Sequence, residues 1–389
     1  MHKALREGCS YQMGMKGIFL SIEKIKQRKG GKVCMVVEYV RVQHVQVGDI
    51  VARTLYDEKA RVLLREGNKL SAAGIRVIKE QGYKGIYIQQ EGTERREDIP
   101  VPEPLVSDFQ TIQLIAFMRD IVQRTNVYNY NTDPHFSAAC KKIEEYVTDL
   151  VDLLYEYEAK NQLLFETEDT RTHATWIYYH SLNTCLLSIG ICIKMGLPKQ
   201  KTLEIALGAI LHDIGKMFIP RELVNKINPT DAERKEIRKH AELGFRLFQR
   251  FGYSIDTTYG IWFHHEREDG SGYPNGVKGE KIPLAAKIVG LASSYDNMIN
   301  YNPFQKTAMS QQEALEQICG DKRFNTNCVV ALTKFVVPYP IGSKVKLSNG
   351  MEAIVLKNVP GSPLRPYLIA NKKVLNLAGD EKLLNLVIV

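Results

Sequence analysis

Residues 165 to about 320 read as almost unbroken helix, and five of the chain's nine histidines fall within that stretch, at positions 180, 212, 240, 264 and 265. Apolar residues at 182, 185, 186, 189 and 193 mark a helix over His180–Met195, stopped by Gly196 with Pro198 after it. Leu203–Leu211 continues as a second buried helix into His212-Asp213-Ile214-Gly215-Lys216. Thr230-x-x-Glu233 is a capping box opening a helix that carries His240. Another helix leads into His264-His265, and Pro283 starts a last one through Asp296. A single histidine in such a setting is ordinarily a surface or core residue. Five in one helical segment, each near a predicted helix end or on an amphipathic helix, point to metal. Neutral imidazole is the commonest ligand of first-row cations. Asp213, beside His212, can bridge two cations about 3.5–4 Å apart through its two oxygens. Mixed imidazole and carboxylate ligation suits iron, manganese or zinc over calcium or magnesium.

The densest chemistry lies in His264-His265-Glu266-Arg267-Glu268-Asp269-Gly270-Ser271-Gly272-Tyr273-Pro274. Its first half carries two imidazoles and three acidic groups. Its second half is a loop: Gly270 and Gly272 permit positive φ, while Pro274 pushes Tyr273 out of the helical region. The combination predicts a metal site with a substrate-facing loop beside it.

At 389 residues the chain has room for two or three domains, and its 44% apolar and 25% charged content is that of a globular protein. The longest apolar candidate, Leu186–Leu197, is interrupted by Gly190 and Lys194, so no transmembrane helix is predicted. A net charge of +8, without an arginine-rich tail, suits an anionic small substrate and gives no sign of a nucleic-acid polymer as partner. Seven cysteines without a Cys-x-x-Cys pair predict free thiols in a reducing cytoplasm and exclude a zinc ribbon.

Residues 1–34 are expected to be a disordered leader, with Met35 a second plausible start of the folded chain. Residues 35–90 form a small β-rich module: strands at 39–42, 50–52, 61–64 and 85–88, and a helix capped by Ser71. Pro100, Pro102 and Pro104 make 91–106 a linker. Residues 107–164 are a helical connector over 108–124 and 136–164, whose stripe of Ile143, Val147, Leu150, Val151 and Leu154 packs within the chain or forms a homodimer through 108–164. Around Asn349-Gly350, a strong hairpin signal, residues 338–389 form a small β appendage.

The segment from about 165 to 325 resembles the HD-GYP branch of the HD metal-dependent phosphohydrolases. The resemblance is carried by His180-Ser181, Leu211-His212-Asp213-Ile214-Gly215-Lys216, Lys239-His240-Ala241 and the stretch from His264 to Pro274. It implies a mainly α protein: an all-helical HD-type domain between the small N-terminal α+β module and the C-terminal β appendage. The implied activity is hydrolysis of cyclic di-GMP to linear pGpG, GMP or both, in bacterial signalling. Carried across by position, His180, His212 and Asp213 would ligate one divalent cation. Asp213 would bridge to a second held by His240, His264 and His265, the cations being iron or manganese, or zinc. Asp213 and Lys216 would be the catalytic residues. Lys216, Gly272, Tyr273 and Pro274 would lie on the substrate side, and Asp296 would be a substrate-side or supporting residue.

Three positions depart from the family pattern. The last helix of the family carries Ala-Asp-x-Tyr-Asp-Ala, whose first Asp completes the first metal site. Here the stretch is Ala292-Ser293-Ser294-Tyr295-Asp296-Asn297, so the neutral Ser293 stands in that place. Two phosphate-reading cations that follow in the family align with Asn302 and Gln305, although Lys306 is adjacent. Trp176 stands where a trinuclear subset places Glu, which predicts at most two metals. Ser293 therefore keeps open a receptor or interaction domain without turnover, and the altered substrate-side residues keep open a phosphohydrolase for another nucleotide.

Overall fold

The helical region is organised around α4 (Trp176–Lys194), a helix buried on nearly every face. Such a helix must be covered all round. α5 (Lys199–Leu211), α10 (Leu284–Ile299), α12 (Thr326–Thr333), α3 (Pro134–Ala159) and α2 (Asp108–Arg124) all pack against it. The computed structural model describes residues 35–57, 61–81, 83, 85–91, 106, 108–124, 134–165, 176–300, 308–371 and 373–389. The leader at 1–34, most of the expected linker, and Asn302, Gln305 and Lys306 lie outside the described residues.

The stripe on α3 is spent inside the chain. Phe136, Cys140, Ile143, Val147, Leu150, Val151 and Leu154 are buried in the same hydrophobic core as α4, α5 and α10. A homodimer through 108–164 would have to use the outer faces of these helices, because the stripe is already covered. Phe165 then pairs with the segment after α12, its N–H donating to Phe335 O at 2.8 Å and its carbonyl accepting from Val337 N at 3.0 Å.

Between α5 and α10 come α6 (Arg221–Val224), α7 (Asp231–Arg238), α8 (His240–Arg250) and α9 (Ile255–Phe263), and α11 (Gln311–Gly320) precedes α12. The capping box at Thr230 and Glu233 opens α7 as the sequence predicts, but His240 is not on that helix. The chain pivots at Lys239, and His240 begins α8. The reason is burial: α7 has no buried residue, whereas α8 sinks Ala241, Phe245, Leu247 and Phe248 into the core. One straight helix could not serve both environments. α10 also runs past Asp296 to Ile299, and two more helices follow it.

Two small sheets flank this core. In the first, β1 (Met35–Arg41) and β2 (Ile50–Val51) both pair antiparallel with the central β5 (Gly85–Glu91). A hairpin of β3 (Leu55–Tyr56) and β4 (Val62–Leu64) and the helix α1 (Ala72–Glu80) complete the module. Ser71 caps α1, its Oγ accepting from Gly74 N at 3.0 Å. The second sheet is a four-stranded antiparallel meander of β6 (Lys344–Lys346), β7 (Glu352–Lys357), β8 (Tyr367–Ala370) and β9 (Lys373–Asn376). Asn349-Gly350 makes the β6–β7 turn, with Gly350 at φ +85°. Each sheet has its own apolar cluster, separate from the helical core. Among the described residues no helix is long and apolar enough to cross a membrane.

Candidate metal centre

Three of the five histidines are positioned by one local device. His212 and His264 directly follow α5 and α9, and His240 opens α8 two residues after the end of α7. In each, ring Nδ1 lies 2.7–2.8 Å from the carbonyl oxygen three residues back: Ala209, Ile237 and Ile261. These carbonyls belong to the last helical turn, where backbone acceptors have no partner within the helix. A carbonyl can only accept, so Nδ1 carries the proton and Nε2 is left with a bare lone pair. His212 and His264 stand at the C-terminal, negative ends of α5 and α9, which favours a cation beside them.

The lone pairs converge. His212 Nε2 lies 3.1 Å from His180 Nε2, and His240 Nε2 lies 3.4 Å from His264 Nε2 and 3.3 Å from His265 Nε2. Asp213 stands between the two groups, with Oδ1 3.3 Å from His240 Nε2 and Oδ2 3.5 Å from His212 Nε2 and 3.9 Å from His180 Nε2. Two sets result, Asp213 with His240, His264 and His265, and Asp213 with His180 and His212, each with ligand atoms within 4.8 Å of one another.

This donor set fits divalent transition-metal ions. Nε2 atoms facing each other without a proton between them repel, and a cation in their midst removes the conflict. Four of the histidines are also held neutral, the form that ligates. Burial brings His212 and His240 down to about 4, and His264 and His265 lie well below the ordinary histidine value for the same reason. Burial alone would raise Asp213, but the Lys216 ammonium, 2.6 Å from its Oδ2, and the surrounding imidazoles hold its carboxyl well below the usual range. Close backbone approach shapes the floor. A Cβ on Gly215 would collide with the His240 carbonyl, and one on Gly290 with the His264 carbonyl, so neither position admits a larger residue without moving a histidine.

His180 is oriented differently, by Asp296. Its Nδ1 donates to Asp296 Oδ2 at 2.7 Å, while Asp296 Oδ1 accepts from Asn183 Nδ2 at 2.8 Å and Asn300 Nδ2 at 2.9 Å. Asp296 is 0% exposed and lies on the far side of His180 from the cluster. This corrects the expectation that Asp296 belongs to the substrate side: it is the carboxylate behind a histidine, the usual partner that fixes a ligating imidazole. Ser293, by contrast, does face the cluster. Its hydroxyl donates to His180 Nε2 at 3.2 Å, at the position where the resemblance expects a carboxylate.

The acidic groups after His265 build the loop and leave the cluster to the histidines. Glu266 is buried, and its Oε1 accepts from Asn275 N at 2.7 Å and Gly276 N at 3.1 Å. Glu268 pairs with Lys287 at 3.1 Å, and Asp269 accepts from Ser271 N. Arg267 donates to the carbonyl of His264 at 3.1 Å and to Ser294 Oγ at 3.0 Å. The loop thus tied down brings Tyr273 flat against His265, with ring centroids 4.3 Å apart and an interplanar angle of 20°. Gly272 and Pro274 flank it at the partly open rim. Lys216 lies under Trp176, its Nζ 5.6 Å from the ring centroid.

Sequence reasoning did not find Asn183, Asn300 or Arg267. Each acts through contacts between distant segments, and their residue types carry no signal on their own.

The family model described as HD domain matches residues 159–323. Among curated proteins, the chain is 32% identical over 202 residues to a cyclic di-GMP phosphodiesterase of Pseudomonas aeruginosa, covering 50% of this chain and 48% of that protein. It is 36% identical over 186 residues to a cyclic di-GMP phosphodiesterase of Thermotoga maritima, covering 46% of this chain and 48% of the relative. The chain therefore spans about half the length of these curated relatives. Among solved structures, one described as an HDG"Y"P protein from Bdellovibrio bacteriovorus aligns over 76% of this chain and 98% of its own, at a TM-score of 0.46 and 18% identity.

Proposed function

We propose that the chain, whose residues 159–323 match the family model described as HD domain, is a metal-dependent phosphodiesterase that hydrolyses cyclic di-GMP to linear pGpG, GMP or both. The observation that carries this reading is the convergence of proton-free Nε2 atoms from buried histidines on the shared carboxylate of Asp213. The names of the curated relatives supply the substrate.

In this reading His180, His212 and Asp213 hold one divalent cation, and Asp213, His240, His264 and His265 hold the other. Iron or manganese suits the mixed donors best, and zinc is the third choice. Two such cations supply charge neutralisation for the phosphodiester and bring the pKa of bound water toward neutrality. The chain's own residues do the rest. Asp213 and Lys216 form the charged floor, and the ammonium of Lys216 stabilises negative charge growing on a phosphate oxygen. Tyr273, between Gly272 and Pro274, walls the substrate side. Asp296 keeps His180 in its ligating tautomer. No serine or cysteine nucleophile is required.

The layout we assign to this function is a small α+β module at 35–90, a helical connector at 107–164, the catalytic domain at 165–325 and a β appendage at 338–389. A cyclic dinucleotide substrate and free thiols at Cys140, Cys185, Cys192, Cys319 and Cys328 support a cytoplasmic setting.

One observation favours a second reading. Because Ser293 offers a hydroxyl where a carboxylate would serve, the His180 side of the centre is the weaker one, and a domain that binds cyclic di-GMP without cleaving it would look like this. The two separate in one experiment. Protein stripped with chelator and reloaded with manganese or iron should convert cyclic di-GMP to linear products, and the stripped protein should not. Calorimetric binding with no product at any metal concentration would replace the enzyme reading with the receptor one.

A further inference from the structure

Arg238 is the last residue of α7, two positions before His240, and its side chain is exposed. Its guanidinium carbon lies 4.8 Å from the centroid of the Tyr273 ring, whose own stacking partner is His265. A column therefore rises from the centre to solvent: imidazole, phenol, guanidinium. Cations over an aromatic face are attracted by the ring quadrupole, and stacking fixes the plane of the arginine fork.

Four cations of the neighbouring segments are each engaged elsewhere. Lys216 is on Asp213 at 2.6 Å, Arg267 is on the His264 carbonyl and Ser294, Lys239 is on Glu236 at 2.5 Å, and Lys226 is on Glu233 at 2.6 Å. Arg238 has no carboxylate partner among the described residues, so its N–H donors are unspent. Meanwhile Asn302 and Gln305 are neutral where the resemblance expects phosphate-reading cations.

We propose that Arg238 is a substrate-binding residue that reads a phosphate of the cyclic dinucleotide at the rim of the metal centre, held in place by Tyr273. The inference rests on the proposed phosphodiesterase function. A planar fork matches phosphate bidentately, whereas a lysine at the same place would offer only a point charge. The phosphate in question is the one not being cleaved, because the rim lies outside the ring of metal-ligating atoms.

The test compares wild type, Arg238→Ala and Arg238→Lys on two substrates, cyclic di-GMP and bis(p-nitrophenyl) phosphate, which has a single phosphate. Arg238→Ala should raise KM for cyclic di-GMP about 10- to 100-fold, the range of a lost charge-assisted hydrogen-bonded contact, with a smaller change in kcat. The loss on cyclic di-GMP should exceed that on bis(p-nitrophenyl) phosphate at least tenfold. Arg238→Lys should recover part of the difference, and elemental analysis should give the same metal content in all three. Equal losses on the two substrates, or a fall in metal content, would make Arg238 a structural support of the Tyr273 loop and overturn the proposal. If wild type binds cyclic di-GMP without turnover, the same comparison is read as Kd by calorimetry, and an unaltered Kd in Arg238→Ala refutes it. If wild type neither binds nor cleaves cyclic di-GMP, the function itself fails and this inference falls with it.

Discussion

Replacing Ser293 by aspartate should strengthen the His180 side of the metal centre selectively. Ser293 is 5% exposed and its Oγ is 3.2 Å from His180 Nε2, so a carboxylate in its place enters the same lone-pair-lined space. At a separation of about 4 Å and an effective dielectric near 20, each unit charge pair is worth about 4 kcal/mol, and a divalent ion doubles that. Against it stand the burial of a second carboxylate and its repulsion from Asp213, together several kcal/mol. The net expectation is about 2–3 kcal/mol, or roughly 30- to 150-fold tighter binding of the cation on the His180 side. Without metal the sign reverses: Ser293→Asp adds a second buried carboxylate beside the Asp213–Lys216 pair with no metal ion to neutralise it, and the stripped variant should melt below stripped wild type. Titration with manganese can be followed at Trp176, whose ring centroid is 6.3 Å from that of His180, in a Trp262→Phe background that removes the only other tryptophan. Wild type should show one tight and one weak event, and Ser293→Asp two tight ones. Two equal, tight events in wild type, or an unaltered second event in the variant, would refute the role given to Ser293.

Two further outcomes follow from the same geometry. Asp296→Asn removes the carboxylate behind His180 and should weaken cation binding on that side about 10- to 100-fold, leaving the other side nearly intact; a uniform loss at both would contradict the partition. The stripped protein should also be acid-sensitive. His212 and His240 titrate near 4 when folded and near 6.5 when unfolded, so the unfolded chain takes up protons first as pH falls. The stability they contribute is complete above about pH 6.5 and is lost on the way down to about 4, roughly 3 kcal/mol for each. Melting temperatures of stripped protein at pH 7.5, 6 and 5 should fall in that order, and a flat series would refute it.

Much of the centre was legible in the sequence because imidazole has few uses in a helical core. The five histidines and Asp213 were identifiable from residue type and helix ends alone, and α2 begins and ends where the apolar period indicates. What could not be read was orientation. Asp296 looks like a substrate residue beside Tyr295, yet helix α10 turns it into the core behind His180, where Asn183 and Asn300 complete its hydrogen bonds. The break at Lys239 was equally hidden, since the capping box speaks for where a helix starts and the burial of α8 decides where it must bend. Arg238 escaped notice because an arginine on a polar helix is ordinarily a solvated one, and only the loop arriving from residue 273 gives it a purpose.

If the proposed cyclic di-GMP phosphodiesterase depends on a carboxylate shared between two histidine groups, Asp213→Ala removes what both metal sites have in common. Wild type and variant, each stripped and reloaded with manganese, are assayed for linear product from cyclic di-GMP, with bound metal counted on the same samples. Turnover by wild type, with loss of both metal and product in Asp213→Ala, is the predicted result. Equal rates of product formation in the two proteins would contradict the account.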